Sequence, residues 1–148
     1  MFSSPGCVVT NVSYYNGARG SGDGRVQVTH NKTEDYAPSY SPDDKKIAYS
    51  RNDGNELEIY TIKATGGKPF QVTNNKDDNF PSYSPDGKKI AYTGCKGNDH
   101  GGDIYTINVG GGGKFRVTHN NADEAAPSWG VVRSGFSSGR RGRPRVEV

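Results

Sequence analysis

The chain has 148 residues, which is enough for one domain that buries most of its surface if it closes on itself. Only 30% of the residues are hydrophobic, with 21 glycines and 8 prolines, a composition that is typical of disorder unless a periodic pattern is present. The formal net charge is +3, but five arginines lie in the last 16 residues and the rest of the chain carries 14 basic and 15 acidic residues, which argues against a nucleic-acid-binding face on the body.

The first 35 residues contain two short β-type runs, at residues 12–15 and 25–29. The glycine-rich stretch between Gly17 and Gly24 is a predicted hairpin turn, because glycine accepts positive φ at little cost. Residues 1–7 have neither the basic nor the apolar region of a signal peptide, and no apolar run of about 18 residues occurs in the chain. The sequence as written therefore predicts a cytoplasmic protein without a membrane span.

Residues 36–75 contain a full set of four predicted strands. The first begins at Ser39, and Ser41-Pro42-Asp43-Asp44 is a turn in which proline presets φ and aspartate closes the turn. The second strand, residues 45–50, has a continuous apolar centre, which indicates a strand covered on both faces. The third and fourth are predicted at 58–62 and 70–73, and the alternation of the fourth is typical of an outer edge.

Residues 76–120 repeat this pattern, with the first strand beginning at Ser82. Residues 81–92 match residues 38–49 at every position except one, where Gly87 replaces Asp44. A self-match at a separation of 43 residues is the signature of a repeat architecture. Four antiparallel strands in about 44 residues, ordered from innermost to outermost, describe one blade of a β-propeller.

Residues 121–148 begin a third copy with Ala126-Pro127-Ser128-Trp129 and then lose the pattern in a Gly/Ser/Arg-rich stretch, although residues 145–148 form a predicted last strand. The predicted fold class is therefore all-β, a propeller of four-stranded antiparallel blades. Residues 1–35 supply the outer strands of a partial blade, residues 36–75 and 76–120 are full blades, and residues 121–148 supply the inner strands of a partial blade followed by the tail.

Two sets of residues are predicted to be structural. The turns between the first and second strands of each blade depend on Pro42, Asp43, Pro85, Asp86 and Gly87. The large side chains expected to fill the core between blades are Tyr40, Ile47, Tyr49, Tyr83, Ile90, Tyr92 and Trp129.

The order Val-Thr, a polar stretch ending in Asp, Pro-Ser-Tyr-Ser-Pro-Asp-Gly-Lys-Lys-Ile-Ala-Tyr and Asp-Ile-Tyr-Thr-Ile resembles the WD40-like propeller repeat of the TolB family, over about residues 26–129. The resemblance implies a non-enzymatic scaffold that binds a protein or peptide partner at its channel mouth or flat face. It also implies a cell-envelope complex, and a periplasmic location if the N-terminus is incomplete. Because the same repeat occurs in prolyl-oligopeptidase-like hydrolases, a detached propeller of such an enzyme is an alternative, as is a self-assembling fragment without separate activity.

The resemblance also implies six blades, whereas this chain supplies about three blades' worth of strands. An open arc would expose larger apolar faces than soluble monomers tolerate. We therefore expect a homodimer that closes a six-bladed ring, with Ser128-Trp129 and the Val146 region of one copy beside the Val12 and Val26 strands of the other. A trimer with two blades per copy is the second possibility, and a truncated piece of a longer protein is the third.

An acidic residue lies three positions ahead of the proline in each copy, at Asp35, Asp78 and Glu124, and each is preceded by another acidic residue, at Glu34, Asp77 and Asp123. In a propeller this segment opens at the rim of the central channel, where carboxylates from several blades could hold a ligand or a cation. The alternative is structural, with each carboxylate accepting backbone N–H bonds and fixing the loop between blades. The spacing matches no recognised metal motif, so the sequence predicts no cofactor beyond a possible channel cation.

The sequence Gly135-Phe136-Ser137-Ser138-Gly139 formally matches the Gly-x-Ser-x-Gly nucleophile motif. That motif requires an acid and a histidine further along the chain, whereas His30, His100 and His119 all precede the serine. The sequence therefore predicts no catalytic residue, and we expect that the protein is not an enzyme.

Overall fold

The structure, a computed structural model, describes residues 27–54, 56–95, 102–120, 122–130 and 145–147. These residues form two four-stranded antiparallel sheets and one two-stranded antiparallel sheet, which confirms the all-β prediction. The first sheet contains β1 (Asp35–Tyr40), β2 (Lys46–Asn52), β3 (Leu57–Lys63) and β4 (Phe70–Gln71). The second sheet contains β5 (Asp78–Tyr83), β6 (Lys89–Cys95), β7 (Gly102–Asn108) and β8 (Phe115–Arg116), and the third contains β9 (Ser128–Gly130) and β10 (Arg145–Glu147).

Each four-stranded sheet is a meander in which strands that follow one another in the chain are also neighbours in the sheet. The outermost strands β4 and β8 have only two residues each, so they are shorter than the sequence predicted. In the first sheet β4 ends early because the Thr73 hydroxyl accepts a hydrogen bond from the Ile59 N–H at 2.9 Å. A backbone carbonyl of the outer strand would otherwise accept this bond. A short outer strand leaves few unpaired backbone groups at the edge of the sheet.

The innermost strands are longer than predicted, because β1 begins at Asp35 and β5 at Asp78, before the predicted starts at Ser39 and Ser82. Each contains a bulge, where the pairing register shifts between its second and fifth residues. Asp35 and Asp78 therefore belong to the strands themselves, whereas Glu124 lies in the segment ahead of β9. Paired backbone at these positions fixes the direction in which the acidic side chains leave the sheet.

The core between the first and second sheets is built from side chains of both: Ala48, Ile59, Val72, Tyr83, Ile90, Tyr92 and Ile107. A second cluster, on the other face of the first sheet, contains Ile47, Tyr49, Tyr60 and Ile62. Side chains alternate between the two faces of a strand, so β2 contributes to both clusters. The continuous apolar centre of the second predicted strand had indicated that both faces of β2 would be covered.

Among the seven side chains expected in the core between blades, five are buried: Ile47, Tyr49, Tyr83, Ile90 and Tyr92. The other two, Tyr40 and Trp129, are partly buried. The indole N–H of Trp129 donates to the backbone carbonyl of Ser82 at 3.0 Å, which connects β9 to β5 of the second sheet.

The third sheet pairs β9 with β10, with Trp129 opposite Val146, so the predicted strand near the end of the chain is present. Residues 27–29 are in no strand, whereas residues 25–29 were predicted to form one. The other predicted N-terminal elements, including the Val12 strand and Val26, lie outside the described residues, as does the Gly135–Gly139 motif. No helix long and apolar enough to cross a membrane occurs in the described ranges.

Candidate functional site

The acidic pairs of the three copies differ in the exposure of their members. The first member of each pair is exposed: Glu34, Asp77 and Asp123. The second member is held closer to the sheet, since Asp35 and Glu124 are partly buried and Asp78 is only 1% exposed. Each copy therefore presents one carboxylate to solvent and keeps one inside the fold.

Asp35 is held by an ion pair on the first sheet. Arg51 Nε donates to Asp35 Oδ1 at 2.9 Å, and Asn31 Nδ2 donates to Asp35 Oδ2 at 2.9 Å. The guanidinium of Arg51 also lies over the rings of Tyr49 and Tyr60, at 5.2 and 4.9 Å from their centroids. Arginine is suited to this place because its planar cation can stack on aromatic rings while it donates to a carboxylate.

Asp78 occupies the equivalent place on the second sheet without an arginine. In the pairing with the neighbouring strand, Asp78 lies opposite Gly94, whereas Asp35 lies opposite Arg51. A Cβ atom at position 94 would lie 2.9 Å from the Tyr105 ring and 3.0 Å from Asp78 Oδ1, so no larger residue fits without movement. The cation comes instead from Lys114, whose Nζ lies 4.4 Å from the centroid of the Tyr105 ring and 5.9 Å from that of Tyr92.

Burial dominates the electrostatics of Asp78. Desolvation raises the pKa of this carboxyl to about 6, and the charge of Lys114 offsets part of that rise. Asn75 Nδ2 donates to Asp78 Oδ2 across 3.4 Å, a long contact that stabilises the ionised form weakly. Asp78 is therefore a buried acid that takes up a proton near pH 6.

A second buried carboxylate, Glu58, lies close enough to Asp78 to raise its pKa further. Thr73 Oγ1 donates to Glu58 Oε2 at 2.6 Å, and the backbone N–H of Lys76 donates to Glu58 Oε1 at 2.9 Å. A hydroxyl carries one hydrogen, so Thr73 cannot donate to Glu58 and to Asp78 at once. The contact with the Thr73 hydroxyl lowers the pKa of Asp78 and so offsets a further part of the rise caused by burial.

The third acidic pair fastens its segment to the second sheet. The backbone N–H of Glu124 donates to the carbonyl of Gly102 at 2.9 Å, and Ala126 N–H donates to Thr93 Oγ1 at 3.1 Å. Asn120 Nδ2 donates to Glu124 Oε1 at 2.8 Å. The structure thus ties all three inner carboxylates to neighbouring groups of the fold.

No group of three or more Asp, Glu, His or Cys side chains within the described ranges is arranged to hold a metal ion. The three pairs lie at the starts of β1 and β5 and ahead of β9, and the inner carboxylates have protein partners. A cation held jointly by several blades stays a prediction.

Sequence reasoning missed four residues of this site: Arg51, Glu58, Thr73 and Lys114. One difference between the repeats was visible in the sequence. When Asp35 is aligned with Asp78, Arg51 of the first repeat aligns with Gly94 of the second. That difference indicates that one aspartate lost its counter-charge. No pattern indicated Lys114, because it reaches the site from the strand end beside β8.

A family model and two solved structures indicate the same family and fold for this chain. The family model described as the TolB beta propeller domain matches residues 20–134. The structure of a putative TolB from Agrobacterium tumefaciens is 29% identical, with a TM-score of 0.57, and the match covers 63% of this chain and 35% of that one. TolB from Acinetobacter baumannii is 26% identical with a TM-score of 0.57, covering 69% of this chain and 25% of that one.

This chain therefore spans about a third or less of the length of these two proteins. A search of curated proteins found no match. The family match covers most of the chain and confirms the resemblance inferred from the repeat. The chain belongs to the TolB beta-propeller domain family.

Proposed function

We propose that the chain is a non-enzymatic propeller scaffold that binds a protein or peptide partner at its channel mouth or flat face, through a basic segment of that partner. One observation carries the proposal. Each of the three copies exposes one carboxylate, from Glu34, Asp77 and Asp123, beside a second carboxylate that is held within the fold.

The two carboxylates of a pair have complementary roles in this proposal. The inner one fixes the backbone, as Asp35 does through Arg51, and the outer one is then presented from a positioned segment. A surface whose charges are positioned in advance loses less entropy when it binds than a flexible one does. Exposed charges of one sign contribute mainly to partner choice and association rate, and their effect falls with salt.

We also propose that two copies associate to close a six-bladed ring, which would double the number of exposed acidic pairs. The support is the third sheet, where β10 pairs only with β9 among the described residues and leaves an edge available to a further strand. A trimer with two blades per copy is the second arrangement. The number of blades decides how many carboxylates face one partner.

A binding assay with matched peptides tests the partner proposal. The probes are two fluorescein-labelled twelve-residue peptides, one with lysines at every third position and one with glutamates there. We expect the lysine peptide alone to raise the fluorescence anisotropy, and the signal to fall between about 50 and 300 mM salt because exposed charges are screened.

The double variant Asp77→Asn, Asp123→Asn should weaken binding of the lysine peptide at least about fivefold at low salt. The control is Asp44→Asn, which removes an exposed carboxylate at the other end of the first sheet and should change nothing. Equal binding by both peptides, or equal weakening by the control, would contradict the proposal.

A further inference from the structure

A groove of about 340 Å³ lies between the first and second sheets, at the opposite end from the acidic pairs. β1 has six residues, so the two ends are separated by roughly 20 Å. The groove is formed where the turn between β1 and β2 meets the turn between β5 and β6. Its lining includes Pro42, Asp43, Tyr83, Pro85, Asp86 and Gly87.

Gly87 is the one position at which the two twelve-residue copies differ, and it lies in this groove. Its φ is +69°, and Asp44 at the equivalent position of the first turn has φ of +57°, so the turn accepts a side chain in this conformation. A Cβ atom at position 87 would lie 3.6 Å from Pro42 Cδ. A longer side chain would extend into the space between the turns, and glycine therefore keeps the groove open.

The two aspartates of the groove are fixed by their own turns. Asp43 Oδ1 accepts from the Ser41 hydroxyl at 2.7 Å and from the Lys45 N–H at 3.2 Å. Asp86 Oδ1 accepts from the Ser84 hydroxyl at 2.7 Å and from the corresponding backbone N–H at 3.1 Å. These hydrogen bonds lower the pKa of both carboxyls, so both are ionised at neutral pH.

Tyr83 adds an independent observation. Its side chain lines the groove and is 6% exposed, and within the described part of the chain its hydroxyl has no hydrogen-bond partner. Burial, followed by the charge of Asp43, raises the pKa of this hydroxyl to about 12, so it remains protonated. Buried polar groups in proteins normally have a partner, and an unpaired one beside a groove indicates a place for a ligand.

We propose that this groove binds the guanidinium group of an arginine side chain from an extended segment of a partner. Two fixed carboxylates face a lining that contains the rings of Pro42, Pro85 and Tyr83, and Lys46 offsets one of the two negative charges. A planar cation can donate to carboxylates while its faces contact the rings, which an ammonium group does less well. The groove is separate from the acidic surface, so this proposal does not depend on the proposed function.

An NMR titration of the full chain tests the assignment. The probes are the acetylated, amidated tripeptides Ala-Arg-Ala and Ala-citrulline-Ala, which have nearly the same shape and differ in charge. We expect saturable shifts of the backbone amide signals of residues 43–46 and 86–89 with the arginine peptide. The citrulline peptide should bind with a dissociation constant at least tenfold larger. Equal shifts with both peptides, or none with either, would overturn the proposal.

Two variants separate binding from folding. Gly87→Asn fills the groove with a residue that tolerates positive φ, and should abolish the shifts, whereas its control Asp44→Asn should leave them unchanged. Tyr83→Phe removes an unpaired hydroxyl, so it should preserve thermal stability while weakening the arginine peptide about threefold or more. Undiminished binding by folded Gly87→Asn protein would overturn the proposal, because the groove would then not be the site.

Discussion

Asp35 and Asp78 occupy the same place in the repeat but have different electrostatic surroundings. Asp35 is partly buried and has Arg51 at 2.9 Å, whereas Asp78 is 1% exposed and faces a glycine across the ladder. Burying an acid without a close ion pair favours its neutral form. The repeat therefore keeps the residue type in two different electrostatic surroundings, and at Asp78 burial raises the pKa of the carboxyl.

We expect Asp78 to make the stability of the protein depend on pH. The pKa of this carboxyl is about 6 in the folded protein, above the ordinary value of 3.8, so the folded state binds the proton more tightly than the unfolded state between these values. The stability contribution of Asp78 should rise as the pH falls from 7 towards 4, by up to about 3 kcal/mol. Urea unfolding followed by circular dichroism at several pH values measures this.

The variant Asp78→Asn should flatten that profile, because an amide has no charge to lose, and should be at least as stable as the parent at pH 7. The matched variant Asp35→Asn breaks the ion pair with Arg51 and should be less stable than the parent at pH 7. If Asp78→Asn were strongly destabilising at pH 7 and kept the original pH dependence, the buried acid would not be the cause.

Gly102 is required by close packing between β7 and the segment ahead of β9. A Cβ atom there would lie 2.5 Å from Thr93 Cγ2 and 2.6 Å from the carbonyl oxygen of Glu124. Gly102→Ala should therefore lower the free energy of unfolding by about 1–3 kcal/mol, because backbone would have to move. Gly110→Ala is the control, since nothing lies within 4 Å of its added methyl group. Equal stability of the two variants would contradict the packing described.

At the scale of a strand, the bulges of β1 and β5 are the local feature that departs most from residue preference. Ala37 and Phe80 have φ of +46° and +53°, and Ala126 just before β9 has +53°. Side chains other than glycine rarely adopt this conformation. Three copies share the geometry, so the packing of the sheets must stabilise it against the local cost.

Replacement of Ala37 by glycine should therefore stabilise the protein. Glycine removes the clash that positive φ causes for a Cβ atom, and the gain should exceed its entropic cost by about 0.5–1 kcal/mol. Ala122→Gly, at an exposed position without positive φ, should instead be neutral or slightly destabilising. Thermal melting of both variants checks the difference, and a loss of stability in Ala37→Gly would mean that the alanine methyl group contributes packing that outweighs the strain.

The sequence predicted the elements better than their details. A period of 43 residues and the apolar centre around Ile47 and Ile90 were sufficient for two four-stranded antiparallel sheets. The bulges were not predictable, because neither alanine nor phenylalanine favours positive φ, and the short fourth strand depends on a side-chain bond from Thr73. The acidic positions were visible, but the charged residues that act on them, Arg51, Glu58 and Lys114, come from other parts of the chain.

At the scale of the whole molecule, the sheets depend on their neighbours. The core between the first and second sheets takes Ile59 from one and Ile90 from the other, both fully buried. The other face of the first sheet buries Ile47 and Tyr49 in a separate cluster with Val28 packed against it. Because the first sheet buries both faces, we expect that a sheet at the end of a row needs a further layer to cover it.

We expect a second copy to supply that layer. The full chain should sediment in analytical ultracentrifugation as a dimer, at about twice 15.9 kDa, because closing the ring covers the end faces and gives β10 a neighbouring strand.

Val146→Pro removes a backbone N–H from the strand that pairs with Trp129 and should shift the protein towards monomer. Phe70→Ala, which shortens a half-exposed side chain on the outer strand β4, should leave the dimer intact. A folded monomer for the parent chain would refute closure by a second copy, a trimer would favour two blades per copy, and dissociation by Phe70→Ala alone would place the interface on the outer edge of the sheets and not at the ends of the row.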